Sequence, residues 1–594
     1  MKLQTALWFA ALGHVANGCL LPEEMGDGDS KPVGLERRQR GGDYVPIGKG
    51  DRFEHKVPWG LGSDPQAFKD ASQLSILSLA EIESALKRLE KAYPGKMTLT
   101  EAEKKTFENR PIYYAVVGSQ SPAVFLTSGI HPRERGGPDA MVYLIADLLW
   151  ADKKNAGLRY GSREYSVQQV RRVLSAGIAV IPAVNPDGIH HDQTTNSCWR
   201  KNRRSFGKHG VGVDINRNFN VLWDYERIFS PSAGVRSRMS KTPWAPSYIG
   251  PSPFSEPETQ SVNIVFERVR SLRWYLDLHS YLGQVLYGWG DDYTQTTDPG
   301  MSFRNRKYDG QRGLKGDMYK EYMEPEDFDA QKAASKRMVR AMNREANEDR
   351  YMAAEIMDLY PALGSTDEAL AKYYSHSCGS NRINALTFEF GKNKTYTGNC
   401  QEYFYPKRTE YKDDLTYIMV GLMEFLLNAA EEQAKVKTWS QGCDASSQQP
   451  TPKPEQQGSG KDTPELQKCS DQYRAAVKRC RDEDEPCIAR IRHEAYQCIQ
   501  RANQYCLQKY SPTWRKCQNF ACRHDVRKNF QDCERQQGTK REREQDLVPG
   551  IKGHALCVKR RRKVYDDCTA GGGGSKCNEK AVDGYVLCEL QIPV

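Results

Sequence analysis

Beyond its N-terminal segment the chain lacks any run approaching eighteen apolar residues, which excludes a hydrophobic bilayer-spanning helix from its body. Cysteine is scarce through the middle: only Cys198, Cys378, Cys400 and Cys443 fall between residues 20 and 450, against twelve between Cys469 and Cys588. C-x2-C pairs are missing altogether, so the Cys-rich end does not read as a small zinc module. Charge of one sign is not grouped either. Residues 441–594 hold 28 Lys+Arg against 21 Asp+Glu with the signs interspersed, which argues against a nucleic-acid partner despite a formal net charge of +10.

What is present divides the chain into parts. At 594 residues, 38% hydrophobic and 27% charged, it is globular and longer than one ordinary domain. Residues 1–18 read as a signal peptide, with an early lysine, a short apolar stretch and Ala16 and Gly18 where a peptidase would cut, so a secreted, soluble product is expected. An oxidising destination suits the 17 cysteines. Residues 19–69 are Gly-rich and charged, either a flexible arm or a short pro-segment, with a dibasic site at Arg37-Arg38.

From residue 70 to 435 helix and strand signals alternate. "LSLAEIESALKRLEKAY" reads as an amphipathic helix capped by serine, "RPIYYAVVGS" and "SPAVFLTSGIH" as strands, and "PDAMVYLIADLLW" as a helix. "AGIAVIPAVNPDG", "LRWYLDLHSY" and "NALTFEFG" read as buried strands and "DDLTYIMVGLMEFLLNAA" as a closing helix. The expected class is α/β, a mixed, mostly parallel sheet with helices on both faces. Residues 436–465 hold almost no apolar residue and form a linker.

Residues 466–594 carry six cysteine pairs with ten residues inside each, from Cys469/Cys480 to Cys577/Cys588. Eleven steps of about 100° come to about three helical turns, so both thiols of a pair face one side of a helix. Three disulfide-stapled helical hairpins follow, pairing 480–487 with 469–498, 517–522 with 506–533, and 568–577 with 557–588. This all-α region resembles the twin C-x9-C pattern with one residue more. It is expected to bind a surface or protein partner, or to stabilise, and to take no part in catalysis.

The chemistry lies at strand ends. His131 and Glu134 follow the apolar run "AVFLTS", where open α/β sheets place ligands. Zinc needs imidazoles and a carboxylate in tetrahedral array, and "WYLDLHSY" offers His279 as the third ligand. Glu389, in "LTFEFG", is a carboxylate on another apolar strand. Its functional reading is a general base that takes a proton from zinc-bound water, and its bland alternative is a buried ion pair.

"GIHPRE", "NPDG", "WRKNR", "VDINRNF", "LDLHSY", "YPALGSTD" and "TFEFG", in this order, resemble the zinc metallocarboxypeptidases of the M14 type, the carboxypeptidase A/B group. The resemblance covers roughly residues 70 to 435. It implies one zinc ion held by His131, Glu134 and His279, Glu389 as base and later proton donor, and Arg200 as the electrophile at the scissile carbonyl. It further implies Asn216 and Arg217 as the clamp for the free carboxylate of peptide or protein C-termini, Asp214 as the carboxylate orienting His131, and Tyr360 as a tyrosine closing on substrate. Tyr373 and Tyr374 compete with Tyr360. The pocket floor falls on Thr366, implying neutral or hydrophobic C-terminal residues, or on Asp367, implying Lys or Arg. Residues 19–69 are too few for the folded inhibitory pro-domain of the digestive members. The implied activity is that of a secreted zinc exopeptidase. Its rivals are a peptidase of bacterial wall peptides and a non-catalytic binding protein on the same scaffold.

Overall fold

The computed structural model describes residues 20–21, 24, 43–63, 74–375 and 382–433. All of them lie within the unit Met1–Asp444. The expected linker, hairpins and tail disulfides lie outside the described residues, as do Cys378 and the side chains of Tyr373 and Tyr374.

The first long helix, α1 (Leu79–Ala92), starts where Ser78 accepts from the Glu81 backbone N–H while the Glu81 carboxylate accepts from that of Ser78. This reciprocal cap satisfies two N–H groups that a helix start leaves orphaned. Ile82, Ala85, Leu86 and Leu89 then follow at helical spacing and are buried.

Eight strands build one sheet: β1 (Met97–Glu101), β2 (Tyr113–Val117), β3 (Val124–Ser128), β4 (Ile178–Ile181), β5 (Trp274–Ser280), β6 (Gln284–Tyr287), β7 (Met352–Glu355) and β8 (Asn384–Phe390). Their order is β1-β2-β4-β3-β5-β8-β6-β7. The ladders β4/β3, β3/β5, β5/β8 and β6/β7 are parallel, and the other three antiparallel. The sheet is thus mixed and mostly parallel.

Side chains alternate across it. Leu126, Leu276 and Leu386 enter one core with α1, α2 (Gly137–Lys154), α3 (Val167–Ala176), α6 (Pro325–Ala346) and α8 (Arg408–Gln433). Phe125, Tyr275 and Ala385, one residue earlier in each strand, enter the other with α5 (Pro257–Arg268) and α7 (Ser365–Ser375). Helices therefore cover both faces, which is why β3 and β5 are buried at every position. A shorter helix, α4 (Pro186–Thr195), opens at the "NPDG" motif, with the Asn185 side chain accepting from the Gly188 N–H.

Cys198 and Cys400 form a disulfide. Leu21 packs in the cluster around it with Tyr403, Phe404 and Tyr405. Glu24 lies beside it, its buried carboxylate paired with both terminal nitrogens of Arg133 at 2.7 and 2.8 Å.

Candidate active site

The alternation that sorts the two cores also assembles the site. Asp277 and His279 extend the Phe125/Tyr275 face of β5, and the parallel register sets Thr387 opposite Asp277 and Glu389 opposite His279 on β8. β3 ends alongside, with Thr127 opposite Asp277. The next turn carries His131 and Glu134, whose N–H closes back on the His131 carbonyl at 3.1 Å.

His131, Glu134 and His279 are buried and offer ligand atoms that all lie within 4.8 Å of one another. Nδ1 of each ring faces Glu134, at 2.8 Å for His131 and 2.9 Å for His279. The far nitrogen of each ring meets a carboxylate: His131 Nε2 is 3.2 Å from Asp214 Oδ1, and His279 Nε2 is 2.8 Å from Asp277 Oδ2. With Nε2–H donating outward, both Nδ1 lone pairs converge with a Glu134 oxygen. Two nitrogens and one oxygen, with orienting carboxylates behind them, fit zinc. Burial alone would raise the Glu134 pKa, but the two histidines hold it well below the usual carboxylate range.

Asp214 works in two directions. Its Oδ2 accepts from Arg200 Nε at 3.1 Å and Nη2 at 2.8 Å, while Oδ1 also caps the turn through the Asn216 N–H. Against the effect of burial, Arg200 and His131 keep it ionised to far below its ordinary range. Glu389 is buried, 3% exposed, at the register position beside His279.

Arg217 is 5% exposed. Its Nε donates to the Arg238 carbonyl at 3.0 Å and its Nη1 to those of Asn216 at 2.8 Å and Leu363 at 3.4 Å. Among the described residues no carboxylate forms an ion pair with it. Asn216 accepts from the Ser365 N–H at 2.9 Å and lies so close to Gly364 that a Cβ there would sit 2.4 Å from its Oδ1.

Tyr360 is buried with its ring 4.8 Å from the guanidinium of Arg238, the residue whose carbonyl accepts from Arg217. Thr366 and Thr387 hydroxyls meet at 3.3 Å. Asp367 turns away to the main chain: its oxygens accept from Gly290 N at 2.7 Å and Gly364 N at 3.0 Å. Burial pushes it up to about 7.

Asp277 has no sequence signature of its own. Only its spacing of two from His279 on a strand could have marked it.

The family described as zinc carboxypeptidase matches residues 82–415. Zinc carboxypeptidase A 1 of Drosophila melanogaster is 30% identical over 241 residues, 38% of this chain and 50% of that protein. Carboxypeptidase A2 of Rattus norvegicus is 32% identical over 224 residues, 37% and 48% of the two chains. The matched region thus spans about half the length of these relatives. Among solved structures, bovine thrombin-activatable fibrinolysis inhibitor in complex with tick carboxypeptidase inhibitor aligns with a TM-score of 0.44 at 20% identity, covering 60% of this chain and 98% of that one. Carboxypeptidase A from Helicoverpa armigera aligns at 0.43 and 22% identity, over 63% and 78%. With a family match extending over more than half of its 594 residues, the chain belongs to the zinc carboxypeptidases.

Proposed function

We propose that this protein is a secreted zinc-dependent carboxypeptidase that removes the C-terminal residue of peptides or proteins. The observation that carries the reading is Arg217: a buried guanidinium, held by main-chain carbonyls and with no ion-pair partner among the described residues, on the turn Ile215–Arg217 that follows Asp214, the carboxylate beside His131. A cation built this way favours an incoming carboxylate, and its planar fork matches that group in two places.

His131, Glu134 and His279 would hold the zinc, which would supply Lewis acidity at the site. Glu389 takes a proton from the attacking water and returns it to the leaving amine as the C–N bond breaks. Arg200, steadied by Asp214, donates to the carbonyl oxygen as negative charge grows there. Asn216 and Arg217 hold the terminal carboxylate, and Tyr360 leaves its place beside Arg238 to close on the substrate. With Thr366, whose hydroxyl meets that of Thr387, as the pocket floor and Asp367 engaged by the Gly290 and Gly364 amides, the preference is for neutral or hydrophobic C-terminal side chains.

Secretion is supported by the N-terminal segment and by the Cys198–Cys400 disulfide, a bond that persists in oxidising compartments. Among the described residues no helix is long and apolar enough to cross a membrane. The Cys-rich tail is proposed to be an ancillary module for a surface or protein partner.

Release of a terminal amino acid from a blocked dipeptide should be abolished by a chelator and restored by zinc. Glu389→Gln should retain one zinc per chain and lose about 10²–10⁴-fold in kcat. Full turnover in a zinc-loaded Glu389→Gln protein would end the mechanism.

A further inference from the structure

Each histidine of the metal cluster has its own carboxylate, but the two carboxylates are balanced differently. Asp214 shares its charge with Arg200. Asp277 is fully buried, and among the described residues no lysine or arginine forms an ion pair with it. Its partners are the neutral hydroxyls of Thr127, at 2.8 Å on Oδ1, and Ser365, at 2.5 Å on Oδ2, besides His279 Nε2 at 2.8 Å. Thr127 is fixed in turn by the Tyr275 hydroxyl at 2.6 Å.

A buried carboxylate met only by hydroxyls and one imidazole is costly to keep charged. The cost falls if positive charge sits on the far side of that imidazole, where Nδ1 joins the cluster. An anion at Nε2–H also makes Nδ1 a better electron donor and locks the tautomer that leaves Nδ1 unprotonated. Ser365 adds a second connection. It begins α7, its N–H holds the Asn216 side chain, and its neighbour is Thr366.

We propose that Asp277 is a positioning residue of the metal centre: it sets the tautomer and ring angle of His279, and through Ser365 it ties that ring to the Asn216 side chain and to the start of α7, where Thr366 lies. This rests on the zinc reading above.

The test is zinc affinity, measured on the full chain by competition with a chromophoric chelator. Asp277→Asn keeps shape and removes charge, and it should weaken zinc by about 10–100-fold. The thermal midpoint of the zinc-free variant should stay at or above that of the wild type, because the buried charge is gone. Ser365→Ala should keep zinc affinity within about threefold, since the Asp277–His279 contact survives, and raise KM more than it lowers kcat. In the zinc-loaded wild type, His279 should show a slowly exchanging Nε2–H resonance. Unchanged zinc affinity in Asp277→Asn, a zinc-free form destabilised in parallel with the lost affinity, or a rapidly exchanging Nε2–H would overturn the proposal. Wild-type protein that holds no zinc would overturn the functional reading as well, whereas tight wild-type binding with an indifferent Asp277→Asn overturns this inference alone.

Discussion

Replacing Arg217 by methionine tests its proposed recognition of the substrate carboxylate apart from the other features of the site. The guanidinium makes three contacts to main-chain carbonyls and forms no ion pair among the described residues; the nearby Asp214 carboxylate, which it helps keep ionised, is already engaged by Arg200 and His131. Two charge-assisted hydrogen bonds to an incoming carboxylate contribute about 1.5–3 kcal/mol each. Their loss, about 3–6 kcal/mol in all, corresponds to a fall of about 10²–10⁴-fold in kcat/KM. The fold should tolerate the change, because removing a buried cation that has no direct ion-pair partner offsets the three lost carbonyl bonds. The assay compares a blocked dipeptide with its C-terminal amide in both proteins. Wild type should strongly prefer the free acid, and Arg217→Met should lose that preference while cleaving the amide at the wild-type rate. Equal losses on acid and amide would refute the reasoning, as would a collapse of the thermal midpoint in the variant.

Three further outcomes follow from particular contacts. Dipeptides ending in Phe or Leu should be cut faster than those ending in Arg or Lys, because Asp367 is committed to the Gly290 and Gly364 amides; a strong preference for basic residues would return the pocket to Asp367. Gly364→Ala should raise KM several-fold more than it lowers kcat, since the new methyl would stand 2.4 Å from Asn216 Oδ1 and displace it; unchanged kinetics would mean that Asn216 does not hold substrate. Burial, helped by neighbouring Glu256, pushes Glu258 up to about 8. The folded state therefore binds this proton more tightly than the unfolded chain, so the stability it contributes is complete below about pH 4.5 and is lost as pH rises through about 8. Glu258→Gln should melt above wild type at pH 9 and close to it at pH 5, and a constant gap between the two proteins would contradict the assignment.

Much of this architecture could be read from the chain because its signals are local. The apolar runs of β3, β5 and β8 announce strands buried on both faces, and Ser78 with Glu81 announces the start of α1. The ligand motif is equally local, since His131 and Glu134 share one turn. What could not be read is pairing between distant elements. β4 lies between β2 and β3 although it follows both in sequence. Glu24 reaches Arg133 across 109 positions, and Ser365 reaches Asp277 across 88. No propensity or spacing reports such partners, because they exist only once the sheet has formed. The two sides of Asp367 show the same limit: its residue type suits either a basic pocket or a loop anchor, and only the Gly290 and Gly364 amides distinguish them.

The Cys198–Cys400 bond closes a ring of chain across a sequence separation of 202. Arg200, Asn216, Arg217, His279, Tyr360, Thr366 and Glu389 all lie inside that ring, whereas His131 and Glu134 stand outside it. A protease that cuts a surface loop within the ring, such as the one exposing Met318 at 88%, leaves two pieces that are still covalently joined. Such a clip opens a circle and does not release a fragment, so the candidate-site residues inside the ring remain covalently held to His131 and Glu134. The bridge is thus a form of damage tolerance: one cut between residues 198 and 400 leaves the candidate site on a single covalent molecule.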